Sequence, residues 1–282
     1  MQQKKQSKRL IIPIFLNHKG CPHRCIYCNQ KSAVGISIKN LNEIDDTVKS
    51  YIKTQIEKYG KINPKYETTQ LAFYGGSFTC LEKNEMINLL KIGKKYIYEN
   101  FVDSLRVSTR PDCISEEILK ILKEYKVKTV ELGCESFSDN ILKILNRGHT
   151  VEDIIKAYNL LKKEDFEISL QIMIGVPEEK DEDIEKIIYY LKELKPDFVR
   201  LFPLIVLKNT YLEKMYRAKI YKPITLEKAI KILGKIYKNC IEEGIKVIQI
   251  GLHYSEHLLK NYVAGPIHPR IGELVINSVD TL

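Results

Sequence analysis

Residues 10–28 read LIIPIFLNHKGCPHRCIYC. An apolar run from Leu10 to Leu16 leads directly into Cys21, Cys25 and Cys28, spaced C-x3-C-x2-C. The run is short, contains Pro13 and ends in polar Asn17-His18-Lys19, so it reads as a buried strand that feeds a cysteine loop. Thiolates bind iron and zinc strongly, and three on one loop can grip a single metal centre. On a 4Fe–4S cluster, three thiolates leave one iron open to another ligand, unlike the four-thiolate set of a ferredoxin. The competing reading is zinc, with His23 or His18 completing a Cys3His set. Zinc sites usually pair two half-sites, and no second Cys-x2-Cys or His pair follows downstream, which favours iron–sulfur.

The whole chain sets the bounds. At 282 residues, with 44% hydrophobic and 29% charged, it can bury a large core as one α/β domain or barrel. Lys4, Lys5, Lys8 and Arg9 precede the first apolar run, but Pro13 and the lack of small residues after it argue against a secretory signal. No stretch reaches the length of a membrane-spanning helix, so no membrane partner is expected. Seven cysteines without regular pairing point to a reducing, cytoplasmic location. Cys80, Cys113, Cys134 and Cys240 have no partner spacing and read as small buried residues. The net charge of +9 permits an acidic partner such as RNA, but the lysines are spread through every helix and no aromatic-interleaved basic patch stands out.

Strand patterns alternate with helical ones almost throughout. Strands are expected at Leu10–Leu16, Gln70–Tyr74, Ser104–Thr109, Lys128–Leu132, Glu167–Ile174, Asp197–Leu204 and Lys246–Leu252. Between them, sets such as Ile184, Ile187, Ile188 and Leu191, or Ile118, Leu119, Leu122 and Tyr125, recur at the helical period. Such alternation implies parallel strands joined by right-handed crossovers, and six or seven units suggest a full or partial (β/α) barrel. Residues 1–250 are expected to form that barrel. From Gly251 the alternation stops, and 251–282, with Gly265-Pro266 and His268-Pro269, reads as a short, turn-rich C-terminal appendage.

In β/α barrels chemistry collects where strands end and βα loops begin. The unusual residues of this chain fall there repeatedly. The first strand runs into the cysteines and the second into Gly75-Gly76-Ser77-Phe78-Thr79, where backbone can approach a ligand. The third ends in Ser108-Thr109-Arg110-Pro111-Asp112, the fourth carries Glu131-Leu132-Gly133-Cys134-Glu135, and the fifth holds Gln171 before Gly175-Val176-Pro177. Polar or glycine-rich motifs after five consecutive strands are hard to credit to packing alone.

With these motifs in place, the chain resembles the radical SAM enzymes from Leu10 to about Glu242. Within that superfamily it is similar to the radical SAM domain of the Elongator catalytic subunit, through Cys21-Pro22-His23, Gly75 to Thr79, Thr109 to Asp112, Glu131 to Gly133, Asn146 to Thr150 and Phe202 to Leu212. The resemblance implies a 4Fe–4S cluster held by Cys21, Cys25 and Cys28, reductive cleavage of S-adenosylmethionine to a 5′-deoxyadenosyl radical, and hydrogen abstraction from a substrate. It implies a cofactor site made by Tyr27, Gly75, Gly76, Ser77, Ser108, Glu135, Arg147, Gln171 and Met173. Arg147 would pair with the cofactor's carboxylate, Ser108, Glu135 and Gln171 would face its ribose, and Met173 would line the adenine pocket. Arg110 is expected to buttress its loop. It further implies a low-potential electron donor of flavodoxin or ferredoxin type, and tRNA as the substrate. The alternatives are a small metabolite, porphyrinogen-like or nucleotide, and a non-catalytic zinc or cluster module.

Two departures stand out. Ser108 occupies a position often held by glutamate, with shorter reach. The acetyltransferase domain that follows in Elongator catalytic subunits has no counterpart in this sequence, so the likeness is to short, Elongator-related radical SAM proteins.

Overall fold

The computed structural model of the chain describes residues 9–34, 41–59 and 66–279. Lys4, Lys5 and Lys8 lie outside them. Among the described residues nine strands occur, in chain order: β1 (Arg9–Phe15), β2 (Thr68–Tyr74), β3 (Ser104–Thr109), β4 (Val127–Glu135), β5 (Glu167–Ile174), β6 (Phe198–Pro203), β7 (Val206–Leu207), β8 (Lys246–Ile250) and β9 (Tyr262–Ala264). The helices are α1 (Gln30–Val34), α2 (Leu41–Tyr59), α3 (Lys83–Tyr98), α4 (Glu116–Glu124), α5 (Asp139–Ile144), α6 (Val151–Lys163), α7 (Asp181–Leu194), α8 (Tyr211–Arg217), α9 (Leu226–Glu242), α10 (Glu256–Asn261) and α11 (Ile271–Ser278). Seven strands form one sheet in the order β1-β2-β3-β4-β5-β6-β8. The pairs β1–β2, β2–β3, β5–β6 and β6–β8 are parallel. This is an α/β architecture built on one seven-stranded sheet, as expected, and all seven strands expected from sequence are present.

The chain divides into two compact units. One comprises Met1–Cys21, Ile36–Thr109 and Cys113–Val130, the other Pro22–Gly35, Arg110–Asp112 and Glu131–Leu282. In the first, β2 is buried along nearly its whole length, whereas β1, at the end of the strand order, alternates buried and half-buried residues. An end strand tolerates Pro13, which has no N–H to give to a neighbour. Met86, Leu89 and Leu90 of α3 are buried with Leu71 and Phe73 of β2 and with Leu105 and Val107 of β3. Ser115 caps α4 through a bond from the Ile118 amide, the role a short hydroxyl side chain plays at a helix start.

A disulfide joins Cys80 to Cys113 in this unit, with Cα atoms 5.3 Å apart. The sequence reading of both as unpaired buried residues is therefore corrected. Pairing here depends on the loops after β2 and β3 lying side by side, which spacing along the chain does not reveal. Cys134 and Cys240 are buried thiols, as expected.

In the second unit, Ile168, Leu170 and Ile172 of β5 are buried, as are Ile184, Ile187, Ile188 and Leu191 of α7. The helical period of those four residues is thus the buried stripe of α7. Thr150 and Asp153 form a capping box that starts α6. The region after Gly251 holds more regular structure than its turn-rich sequence suggests. It contains α10, β9 and α11, and α11 packs on α9 and β8 with Ile271 and Val275 buried. The short strand β9 pairs antiparallel with β7, Val206 opposite Ala264 and Leu207 opposite Tyr262.

The turn after β5 is held on both sides of one residue. The Gly175 amide donates to Glu179 Oε2 (2.6 Å), and its carbonyl accepts from the Tyr221 hydroxyl (2.6 Å). The other oxygen, Glu179 Oε1, is buried without a hydrogen-bond partner. Burial pushes the Glu179 carboxyl from 4.5 up to about 7. Asp183 adds to the rise, while the Gly175 and Val176 amides and Lys228 oppose it. In that interval the folded protein keeps a proton that the unfolded chain has released. Stability should therefore fall as pH rises from about 4.5 to about 7, by on the order of 2–3 kcal/mol. Urea denaturation of wild type and Glu179→Gln at about pH 5 and pH 8 should show a smaller loss in the variant. Equal losses would mean that the carboxyl is already ionised at the lower pH.

Candidate active site

In the first unit, the cysteine loop and the glycine loop meet backbone to backbone. The Ser77 amide donates to the Lys19 carbonyl (2.8 Å), and the Cys21 amide to that of His18 (3.1 Å). Gly76 has φ +72°, and a Cβ on it would lie 2.1 Å from the Lys19 carbonyl oxygen. Gly20 has φ +71°, and a Cβ there would meet the Ser77 carbonyl oxygen at 2.3 Å. Both positions demand glycine for conformation and for space. This contact brings Cys21 Sγ to 3.6 Å from Ser77 Oγ. Lys19 forms an ion pair with Glu85 of α3. Ser108 is half-buried at the penultimate position of β3. Next to it, Thr109 Oγ1 lies 2.6 Å from Thr79 Oγ1 and fixes the strand end to the loop after β2.

In the second unit the site gathers around Arg147. The Asn146 side chain donates to the Arg24 carbonyl (2.8 Å), and the Ile26 amide to that of Leu145 (3.1 Å), so the segment after α5 lies against the cysteine loop. Arg147 then donates from Nη1 to Cys25 Sγ (3.3 Å) and to the Tyr27 hydroxyl (3.4 Å), and from Nη2 to the Gly133 carbonyl. Its Nη1 is 3.8 Å from Glu135 Oε1, which also accepts from Gln171 Nε2 at 3.0 Å. The Arg147 and Glu135 side chains are only 9% and 2% exposed. Burial raises the Glu135 carboxyl, against Arg147, Tyr27 and Gln171, which lower it. Burial likewise leads the causes that raise the Tyr27 hydroxyl well above its ordinary value, with Glu135 next.

Three features mark this cluster as more than packing. Glu135 Oε2 and Arg147 Nε are buried without hydrogen-bond partners, and such orphans are uncommon in a folded protein. Glu135 also has φ +66°, a left-handed conformation that costs a non-glycine residue energy and often marks a functional site. His149, whose Nδ1 is a third orphan, is lowered to about 3 by burial and then by Arg147, so its ring is neutral beside the guanidinium.

Met173 is buried in an apolar cluster with Ile26, Val176, Leu204 and Tyr221, and Tyr27 packs against it. Arg110 forms a bidentate pair with Asp112 (2.9 and 2.8 Å), the loop-buttressing role expected for it. His23 is exposed and its ring lies over Gly148, where a Cβ would meet Cδ2 at 2.3 Å. Among the described residues no three His, Cys, Asp or Glu side chains are grouped to hold a single metal ion.

A second polar network shares this unit and is absent from the sequence reading. Arg200 of β6 pairs with Glu131 of β4, and its Nε and Nη2 reach Gln249 Oε1 of β8 at 3.1 and 2.6 Å. Its available signal is a charge inside the apolar run Phe198-Val199-Arg200-Leu201-Phe202.

The geometry at Gly76 yields a test. Gly76→Ala should cost about 2 kcal/mol or more, because the added Cβ meets backbone and the residue keeps φ +72°. Thermal unfolding of the variant reads this directly. An unchanged midpoint would show that the two loops do not pack as described.

A parallel sheet, cysteines after its first strand and polar residues at later strand ends define a class. The profile of the Radical SAM superfamily matches residues 18–191, and that of the Radical SAM C-terminal domain matches residues 196–280. The chain belongs to the Radical SAM superfamily and is an enzyme of that class. An uncharacterized protein of Methanocaldococcus jannaschii is 30% identical over 88% of this chain and 81% of its own length. The tRNA uridine(34) acetyltransferase of the same organism is 27% identical over 94% of this chain, but over 54% of its own length. This chain therefore spans about half of that relative. Among solved structures, the Elp3 of Methanocaldococcus infernus superposes with a TM-score of 0.77 at 22% identity, covering 98% of this chain and 64% of that one. The coproporphyrinogen III oxidase HemN of Escherichia coli does so with 0.57 at 18%, over 85% and 54%.

Proposed function

We propose that Cys21, Cys25 and Cys28 hold a 4Fe–4S cluster, and that Tyr27, Gly75, Gly76, Ser77, Ser108, Glu135, Arg147, Gln171 and Met173 form the site for S-adenosylmethionine. The observation that carries the reading is the buried Arg147–Glu135–Gln171 cluster, hydrogen-bonded to Cys25 and left with two orphaned polar atoms. A ligand with a carboxylate and hydroxyls is suited to satisfy such orphans, and a guanidinium matches a carboxylate geometrically. Three cysteine thiols are a donor set for iron–sulfur ligation with one iron left open. When bound, the cluster supplies the electron for reductive cleavage of the sulfonium, and the electron comes from a low-potential donor of flavodoxin or ferredoxin type.

The chain's own groups do the rest. Arg147 and Glu135 orient the cofactor, the backbone around Gly76 allows close approach, and Met173 with its apolar neighbours keeps water from one side. Residues 1–250 act as the catalytic barrel, and 251–282 as a C-terminal appendage.

The substrate we propose is RNA, a uridine of tRNA. Supporting this are the likeness to a tRNA uridine(34) acetyltransferase across 94% of this chain and the net charge of +9. We place the protein in the cytoplasm, where an oxygen-labile cluster is protected. None of the helices among the described residues is long and apolar enough to cross a membrane.

Anaerobic reconstitution with iron and sulfide, followed by reduction in the presence of S-adenosylmethionine, tests the reading. Wild type should turn brown and release 5′-deoxyadenosine, and tRNA should be altered in the same assay where porphyrinogens and free nucleotides are not. Cys25→Ala should lose both colour and cofactor cleavage while keeping a cooperative thermal transition. Cleavage at the wild-type rate by that variant would reject the cluster assignment, and turnover of a small molecule but not tRNA would reject the RNA substrate.

A further inference from the structure

Cys80 and Cys113 stand outside the proposed cluster set, yet their disulfide ties together two segments that matter to it. Cys80 closes the short turn Phe78–Cys80, directly after Gly75, Gly76 and Ser77. Cys113 closes the turn Pro111–Cys113, which follows Ser108 and Thr109 after the single residue Arg110. Both cysteines are half-buried and not sealed in the core, and exchange requires a thiolate to gain access to one of the two sulfurs. A second link runs beside the first, from the Thr79 amide and hydroxyl to Thr109 Oγ1 (3.2 and 2.6 Å). Breaking the disulfide would leave that hydrogen-bonded junction in place. The loop could then loosen without unfolding.

We propose that Cys80–Cys113 is a thiol–disulfide exchange site that governs the glycine loop, with a dithiol reductant as its partner. A partner thiolate attacks one sulfur of the pair and forms a mixed disulfide, releasing the other sulfur as a thiolate that takes up a proton. The partner's second thiol, deprotonated, then displaces the remaining cysteine, which is also protonated. The net reaction moves two electrons and two protons to this protein and leaves the partner as a disulfide. In the oxidised form the loops after β2 and β3 are covalently tied, which pre-organises Gly75 to Ser77 and Ser108 for binding. In the reduced form that covalent tie is gone, and the Thr79–Thr109 bonds remain between them. The coupling to cofactor binding rests on the assignment of Gly75, Gly76, Ser77 and Ser108 above, whereas the exchange chemistry does not.

The test uses anaerobically reconstituted protein, untreated or exposed to a phosphine reductant, together with Cys80→Ser/Cys113→Ser. Alkylation and peptide mass mapping read the state of each cysteine, and equilibrium dialysis reads S-adenosylmethionine binding. The expected map shows Cys80 and Cys113 paired before reduction and alkylated after it, while Cys134 and Cys240 do not change. Reduction and the double variant should each weaken binding by about three- to tenfold, as loss of pre-organisation does. Alkylation of both cysteines before any reductant, with no pairing on exposure to oxidised glutathione, would overturn the exchange site. A map as expected but identical affinities in all three samples would overturn the coupling. Absence of binding in every sample would overturn the cofactor assignment and the coupling with it, and leave the mapped disulfide supporting the exchange site alone.

Discussion

A guanidinium that is almost wholly buried must find acceptors, and the second unit is organised around how Arg147 finds them. It takes a backbone carbonyl from β4, a sulfur and a hydroxyl from the cysteine loop, and a carboxylate at 3.8 Å. These come in pairs from two separate parts of the chain, Cys25 and Tyr27 from the cysteine loop and Gly133 and Glu135 from β4. Removing one partner of a buried charged pair typically costs about 3–5 kcal/mol, because the other charge is left uncompensated. The arrangement of Cys25, Tyr27, Gly133 and Glu135 is therefore coupled through one side chain. The segment that carries it is fixed in turn by the hydrogen bonds from Asn146 and Ile26.

That cluster is incompletely satisfied by the protein itself. Glu135 adopts a left-handed backbone conformation and leaves one oxygen orphaned, and Arg147 leaves Nε orphaned. A site built for stability alone would pair these atoms or replace them with apolar groups of similar volume. The contrasting case lies nearby. Arg200 is matched by Glu131 through one amino group and by Gln249 through Nε and the other. Two carboxylates four residues apart on one strand thus meet different ends, one in a matched network and one facing unmet polar demand.

Much of the fold was legible in the residues. The seven sheet strands were readable because short apolar stretches, such as Leu71–Phe73 in β2 and Ile172–Ile174 in β5, mark buried strands. The stripe of α7 was readable because four isoleucines and leucines recur at the helical period. Elements of two to eight residues, such as β7, β9, α10 and α11, are too short to show a period against local noise. Their existence depends on what they pack against. The same is true of Arg200, whose place in an apolar strand was visible but whose partners lie 69 and 49 residues away.

The sequence by itself determined the chemistry on offer: three thiols on one loop, glycines where backbones must touch, and charged or amide groups at the ends of strands. It determined these because ligand type, conformational freedom and periodicity are local properties. Only the tertiary structure decided which groups meet. It placed Arg147 on Cys25, gave Gln171 to Glu135, and closed Cys80 onto Cys113 across 33 residues. Contacts between distant segments are set by how buried surfaces pack, and no spacing along the chain encodes that.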